Sequence, residues 1–201
     1  MGRKDVAIID GGGANIASLK YALERLGADS YLTSVADEIR SASHVILPGV
    51  GAAAAAMAKL NEHGLTSLVH ELTQPLLGIC LGMQLLCAGS EEDHATCIGV
   101  FGDQALKLRA SPASPVPNMG WCRIARTQES PLLDGIDDGS WFYFVHSYAV
   151  PVSGHTLATA RHTGEFAAII GRDNFFATQF HPERSSHAGA RLLANFLDMG
   201  Q

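Results

Sequence analysis

Gly78-Ile79-Cys80-Leu81-Gly82 sets a cysteine between two apolar stretches, with a glycine two residues away on each side. Leu76, Leu77 and Ile79 read as a short buried strand, and Met83, Leu85, Leu86 and Ala88 continue as an apolar helix, so Cys80 falls in the turn between them. This is the cysteine counterpart of the G-x-S-x-G elbow, where a sharp strand-to-helix turn pushes a nucleophile outward and bulky neighbours would obstruct the turn. The start of the following helix aims its partial positive end at the sulfur, which favours thiolate over thiol. A cysteine is more often an inert buried side chain, but here strand, turn, glycines and helix agree with what the elbow demands.

A nucleophilic thiol needs a base, and the C-terminal region offers one. Residues 174–180 read as a strand that delivers His181-Pro182-Glu183 at its end. In open α/β sheets, sites assemble at the carboxyl ends of strands, so His181 is placed to take the thiol proton and later return it. Glu183 would then orient the imidazole and stabilise its cation. Pro48-Gly49-Val50-Gly51 ends another strand and precedes a helix, on the same rim. In elbow enzymes one oxyanion donor is the amide after the nucleophile, here Leu81, and a second comes from a glycine-bearing loop, here Val50.

The elements that must hold these residues alternate. Val6–Ile9 reads as a buried strand, followed by Gly11-Gly12-Gly13 and a helix with Ile16, Leu19, Ala22, Leu23 and Leu26 on one face, closed by Gly27. Strands near Tyr31 and over 44–47, an alanine-rich helix over 52–60 and the strand before Cys80 continue the β and α alternation of a parallel sheet covered on both faces. After about residue 98 strands dominate, over 101–108, 121–126, 140–150, 156–160 and 166–170, before a last helix over 187–199 packs Leu192, Leu193, Phe196 and Leu197 inward. The expected fold class is α/β: an open, mostly parallel, flavodoxin-like sheet with helices on both faces and added antiparallel strands in the C-terminal half, all in one domain spanning 1–201.

Several function classes are disfavoured. Gly11 and Gly13 supply G-x-G, but Ile16 stands at the third position and no acidic residue is placed for a ribose, so the dinucleotide fingerprint fails. A net charge of −6 without a clustered basic surface argues against nucleic acid. The four cysteines, at 80, 87, 97 and 122, show no C-x-x-C spacing, which speaks against a zinc site. With no signal peptide in view, free thiols in a reducing, cytoplasmic compartment are expected, and no run approaches the ~20 apolar residues of a membrane span.

Together G-I-C-L-G-M-Q, L-P-G-V-G, F-V-H-S-Y and Q-F-H-P-E resemble the class I (triad) glutamine amidotransferases. D-x-G-x-x-N-x-x-S-L at the start, P-G-V-G-A, M-G-W at 119–121 and Y-F-V-H-S-Y at 143–148 narrow the likeness to the glutaminase subunits of imidazole glycerol phosphate synthases, and it runs from about Val6 to Leu197. The resemblance implies hydrolysis of L-glutamine without cofactor or metal, with ammonia passed to a (β/α)8-barrel cyclase partner in histidine biosynthesis. It implies Cys80, His181 and Glu183 as the triad, Val50 and Leu81 as the oxyanion loop, and Gly49, Gly51, Gln84, His146, Ser147 and Tyr148 as the glutamine pocket. Asn15, Trp121 and Arg184 fall at the implied partner interface or gate. Departures from the usual pattern are Cys122 for Asn, Ala53 for an aromatic, Arg184 for Lys, and Gly12 and Gly13 for larger residues. Rival readings are a related triad glutaminase serving another synthase, a regulatory subunit without chemistry, disfavoured by the intact triad, and a cysteine hydrolase acting without a partner.

Overall fold

The computed structural model describes residues 4–11, 16–49 and 51–200. Its elements are β1 (Asp5–Ile9), α1 (Ile16–Arg25), β2 (Asp29–Thr33), α2 (Ala36–Ser41), β3 (His44–Gly49), α3 (Ala53–Glu62), α4 (Leu65–Glu71), β4 (Leu76–Cys80), α5 (Leu81–Leu86), β5 (Cys87–Ser90), β6 (Ala95–Thr96), β7 (Phe101–Lys107), β8 (Asn118–Arg126), β9 (Trp141–His146), β10 (Tyr148–Ala149), β11 (Thr156–Arg161), β12 (Glu165–Arg172), β13 (Phe175–Thr178) and α6 (Ser186–Asp198). Short 3-10 turns occupy Glu92–His94, Pro131–Leu133 and Pro182–Arg184.

A nine-stranded sheet runs β2-β1-β3-β4-β13-β12-β11-β8-β9. The first five strands are parallel, the last of them β13 from near the end of the sequence, and antiparallel pairing begins where β13 meets β12. The parallel strands are apolar on both faces because each face is covered. Ala7, Ile9, Val45, Leu47 and Leu76 face α3, α4 and α5, whereas Val6, Ile8, Ile46, Leu77 and Ile79 face α1 and α6.

Local chemistry explains the helices that flank the site. Leu19, Ala22 and Leu23 give α1 its buried stripe, and after Arg25 the chain turns at Gly27, φ +78°, while Ala28 N–H bonds Leu23 O and Gly27 N–H bonds Glu24 O. That is a Schellman closure, which answers the last helical carbonyls. In α6 the stripe is Leu192, Leu193, Phe196 and Leu197, and the Asn195 amide ties Leu132 O and Asp134 O to it. Among the described residues no helix is long and apolar enough to cross a membrane.

Three local expectations are corrected. The apolar helix after Cys80 stops at Leu86, and Cys87–Ser90, including Ala88, becomes a strand of a second sheet, β10-β7-β5-β6. The stretch 140–150 is two strands: β9 pairs with β8 in the large sheet, and beyond Ser147 β10 pairs with β7 in the small one. Two short helices, α2 and α4, cover Ile39, Leu65, Leu68 and Val69 where no helix was expected from the sequence.

Candidate active site

β4 lies between β3 and β13, and its register sets Cys80 beside Gly49 and Ile79 beside Thr178. The strand reaches Cys80 itself, and the turn is made within that residue, at φ 55° and ψ −108°, before α5 begins at Leu81. A side chain at such an angle is uncommon and costs about 1–3 kcal/mol, so it persists only where the surroundings enforce it. Here Gly82 enforces it: a Cβ there would lie 1.8 Å from Leu47 O, so only glycine lets α5 leave the strand this close to β3. The elbow directs Cys80 into a cavity rather than onto the surface, leaving it 8% exposed with its Sγ 3.6 Å from Val145 O.

After β13 the chain presents Phe180 to the core, where it stacks on Phe142 with ring centroids 4.1 Å apart, and then turns out as His181. His181 is pinned through its backbone. Its N–H bonds Tyr143 O at 3.0 Å, and the Ser185 hydroxyl donates to His181 O at 2.7 Å while accepting Tyr143 N–H at 3.0 Å. Gly189 lets α6 pack beneath this segment, since a Cβ there would meet Pro182 O at 2.0 Å. The imidazole Nδ1 is 2.9 Å from Glu183 Oε1, and the ring lines the same cavity as Cys80. Burial works against a charge on this ring, but the neighbouring Cys80 and Glu183 outweigh it and raise its pKa to about 10. The second carboxylate oxygen, Glu183 Oε2, is buried and has no partner among the described residues.

The cavity in front of Cys80 has a volume of about 440 Å³ and also meets Leu81, His181 and Glu183. Every residue expected in the glutamine pocket lines it: Gly49, Gly51, Gln84, His146, Ser147 and Tyr148. Two of these are occupied within the protein. Gln84 Nε2 donates to Tyr148 O at 3.1 Å and to Gln179 Oε1 at 3.4 Å. His146 Nδ1 meets Tyr148 O at 2.8 Å and Nε2 meets Asn118 Nδ2 at 3.0 Å. A carbonyl can only accept, so Nδ1 carries the proton and Nε2 accepts from the amide; the ring is neutral. Burial pushes its pKa down to about 4, in keeping with that tautomer.

Of the expected interface residues, Arg184 lines the cavity mouth with its guanidinium 4.9 Å over the Tyr143 ring, and Trp121 lies outside the cavity, 49% exposed, edge-on to Tyr143 at 5.9 Å. Val50 and Asn15 lie outside the described residues. Three polar residues escaped the sequence reading. Glu92 lines the cavity and its Oε2 accepts Ala53 N–H at 2.8 Å, Gln179 places its amide 4.0 Å from Cys80 Sγ, and Asn118 holds His146. Glu92 sits in an acidic run that reads as solvated surface, and Asn118 opens a strand with nothing to mark it. Gln179 alone carried a signal, as the first residue of Q-F-H-P-E.

Residues 7–199 match the glutamine amidotransferase class-I family. The imidazole glycerol phosphate synthase subunit HisH of Xylella fastidiosa is 48% identical over 195 residues, covering 97% of this chain and 98% of that protein. The protein of the same name from Shewanella oneidensis is 44% identical over 212 residues, covering 97% and 96%. Among solved structures, a chain of PurLQS from Thermotoga maritima superposes with TM-score 0.75 at 16% identity, covering 98% of each chain, and a glutamine amidotransferase crystal structure does so with TM-score 0.73 at 18%, covering 96% of each. These two attest the fold, and the sequence matches attest the lineage: the chain belongs to the class-I glutamine amidotransferase family.

Proposed function

We propose that this chain hydrolyses the side-chain amide of glutamine through a thioester on Cys80 and hands the ammonia to a (β/α)8-barrel cyclase partner that makes imidazole glycerol phosphate in histidine biosynthesis. The observation that carries the reading is that Cys80 and the hydrogen-bonded pair His181–Glu183 line one cavity of about 440 Å³, a size suited to a small ligand. The thiol proton passes to His181, whose cation Glu183 stabilises from the Nδ1 side. The sulfur adds to the amide carbon, and the negative oxygen is received by the Leu81 amide, free of intrahelical bonding at the first position of α5, together with Val50. His181 gives its proton to the departing nitrogen, ammonia leaves and the thioester remains. Water then adds to that carbon with His181 as base, and glutamate departs from the restored sulfur.

Recognition follows from which atoms remain available. The Gln84 amide nitrogen is used inside the protein, so its oxygen is what it can offer a ligand. With the Glu92 carboxylate it gives the cavity two acceptors, suited to the substrate α-ammonium. Gly49, Gly51, Ser147 and Tyr148 surround the rest.

Ammonia protonated in bulk water is no longer a nucleophile, so the product needs a shielded route into the partner. The outer face of β8 and β9 beside the cavity mouth supports such docking. Met119 is 65% exposed, Trp121 lies opposite Tyr143 in the strand register, and Arg184 covers Tyr143. Aromatic and arginine side chains of this kind are enriched at protein interfaces.

The test combines a label with an assay. A glutamine-analogue electrophile is expected to modify Cys80 and spare Cys87, Cys97 and Cys122, and Cys80→Ala should abolish glutamate release with and without the cyclase and its nucleotide. Burial raises all three spared thiols, Cys97 to about 11. Turnover surviving in Cys80→Ala, or inactivating label on another cysteine, would refute the mechanism.

A further inference from the structure

We infer that the side chain of Gln179 is the fixed hydrogen-bond donor to the Cys80 sulfur, and that it serves to favour the thiolate over the thiol. The inference rests on the reading of Cys80 as nucleophile and extends it to a residue whose oxygen holds Gln84 and whose nitrogen faces the sulfur.

Gln179 is completely buried between β13 and His181. Its backbone is fixed by Gln179 N–H to Ala168 O at 2.9 Å, and its neighbour Phe180 is locked against Phe142. Its side chain is fixed from the other end, because Oε1 accepts Gln84 Nε2 at 3.4 Å and Gln84 Nε2 is also committed to Tyr148 O at 3.1 Å. With the oxygen taken, the Nε2 group must point the other way, and among the described residues it meets the Cys80 sulfur at 4.0 Å. A buried amide donor left without a good acceptor is costly, and a neutral thiol is a weak acceptor whereas a thiolate is a strong one. The relay Tyr148–Gln84–Gln179 is therefore satisfied in full only when the sulfur is charged. No proton is gained or lost by Gln179: the thiol proton goes to His181, and the amide supplies a dipole that needs no reorientation when the charge forms.

The other ionisable groups lining the cavity come from four elements, Tyr148 belonging to β10. His181, Glu183 and Arg184 belong to the turn after β13, His146 to β9, and Glu92 to the turn before β6. Gln179, a neutral amide, does not titrate at all.

Gln179→Met keeps the length and removes the N–H groups. Iodoacetamide alkylation of Cys80, mapped by mass spectrometry across pH, is expected to slow about tenfold at neutral pH, with the gap closing at alkaline pH where the thiol ionises unaided. Glutaminase kcat should fall by a similar factor while KM for glutamine stays within about twofold. Gln179→Glu, which sets a carboxylate against the sulfur, should slow alkylation further. A Gln179→Met profile that superimposes on the wild type, or one slowed equally at every pH, would overturn the inference. A measurement on the unsubstituted side chain guards against variants that fail to fold. The Gln179 side-chain amide signal in ¹⁵N NMR should shift through the pH range in which Cys80 alkylation rises and stop doing so in Cys80→Ala; an amide indifferent to that range would also overturn it. If instead Cys80 takes no label and Cys80→Ala keeps turnover, the fault lies with the nucleophile assignment, whereas an active Cys80 with an unchanged Gln179→Met profile rejects Gln179 alone.

Discussion

Mild acid should destabilise this protein through one histidine. His146 joins β8 to the strand crossover at Ser147, accepting from Asn118 and donating to Tyr148 O. Its pKa falls from an ordinary 6.5 to about 4 because the buried ring resists charge. The sign follows from proton uptake: between these two values the unfolded chain binds a proton that the folded chain refuses. The stabilisation is therefore fully present above about pH 6.5 and is lost as pH falls towards 4. With ~1.36 kcal/mol per unit, the linkage gives a loss of about 2 kcal/mol between pH 7 and pH 4.5 from this ring alone. Burial also lowers the pKa of His44, which adds a loss of the same sign, so the comparison must isolate His146. His146→Gln keeps a donor and an acceptor but does not titrate there. Urea unfolding of both proteins across pH 4.5–7.5 should show the wild type losing about 2 kcal/mol more than the variant, with equal m-values. Parallel stability curves would refute the claim that the folded protein excludes the imidazolium.

Two further outcomes follow from the packing. Gly82→Ala should destabilise by about 3 kcal/mol or more, read as a lower urea midpoint, because the new methyl would stand 1.8 Å from Leu47 O in a strand that cannot retreat; an unchanged midpoint would show that α5 leaves the elbow differently. Trp121→Ala and Arg184→Ala should each weaken binding to the cyclase about tenfold or more by titration calorimetry, since both side chains gather on Tyr143 at the cavity mouth, and undiminished affinity would move the docking face elsewhere.

The elbow at Cys80 and the His181–Glu183 pair were each legible in the sequence because the determinants of each are local. A strand, a turn that admits glycine alone at Gly82 and a following helix state the elbow within a dozen residues, and His181 and Glu183 stand two apart at the end of the next strand in the sheet. The parallel half of the sheet was equally legible, because strands covered on both faces must be apolar throughout, as Val6–Ile9 and Val45–Leu47 are. Tertiary structure decided what local pattern leaves open. The run Met83–Ala88 suits a buried helix or a buried strand, and only the partner strand β7 converts it at Cys87. Ser147 divides one β-rich stretch between two sheets, a choice made by pairing with β8 on one side and β7 on the other. The polar partners were hidden for the same reason: Glu92 reaches Ala53, Gln179 reaches Cys80 and Asn118 reaches His146 across tens of residues of chain. A side chain's type states what it can donate or accept, but which atom waits at the other end of a buried hydrogen bond is fixed only when distant strands come together.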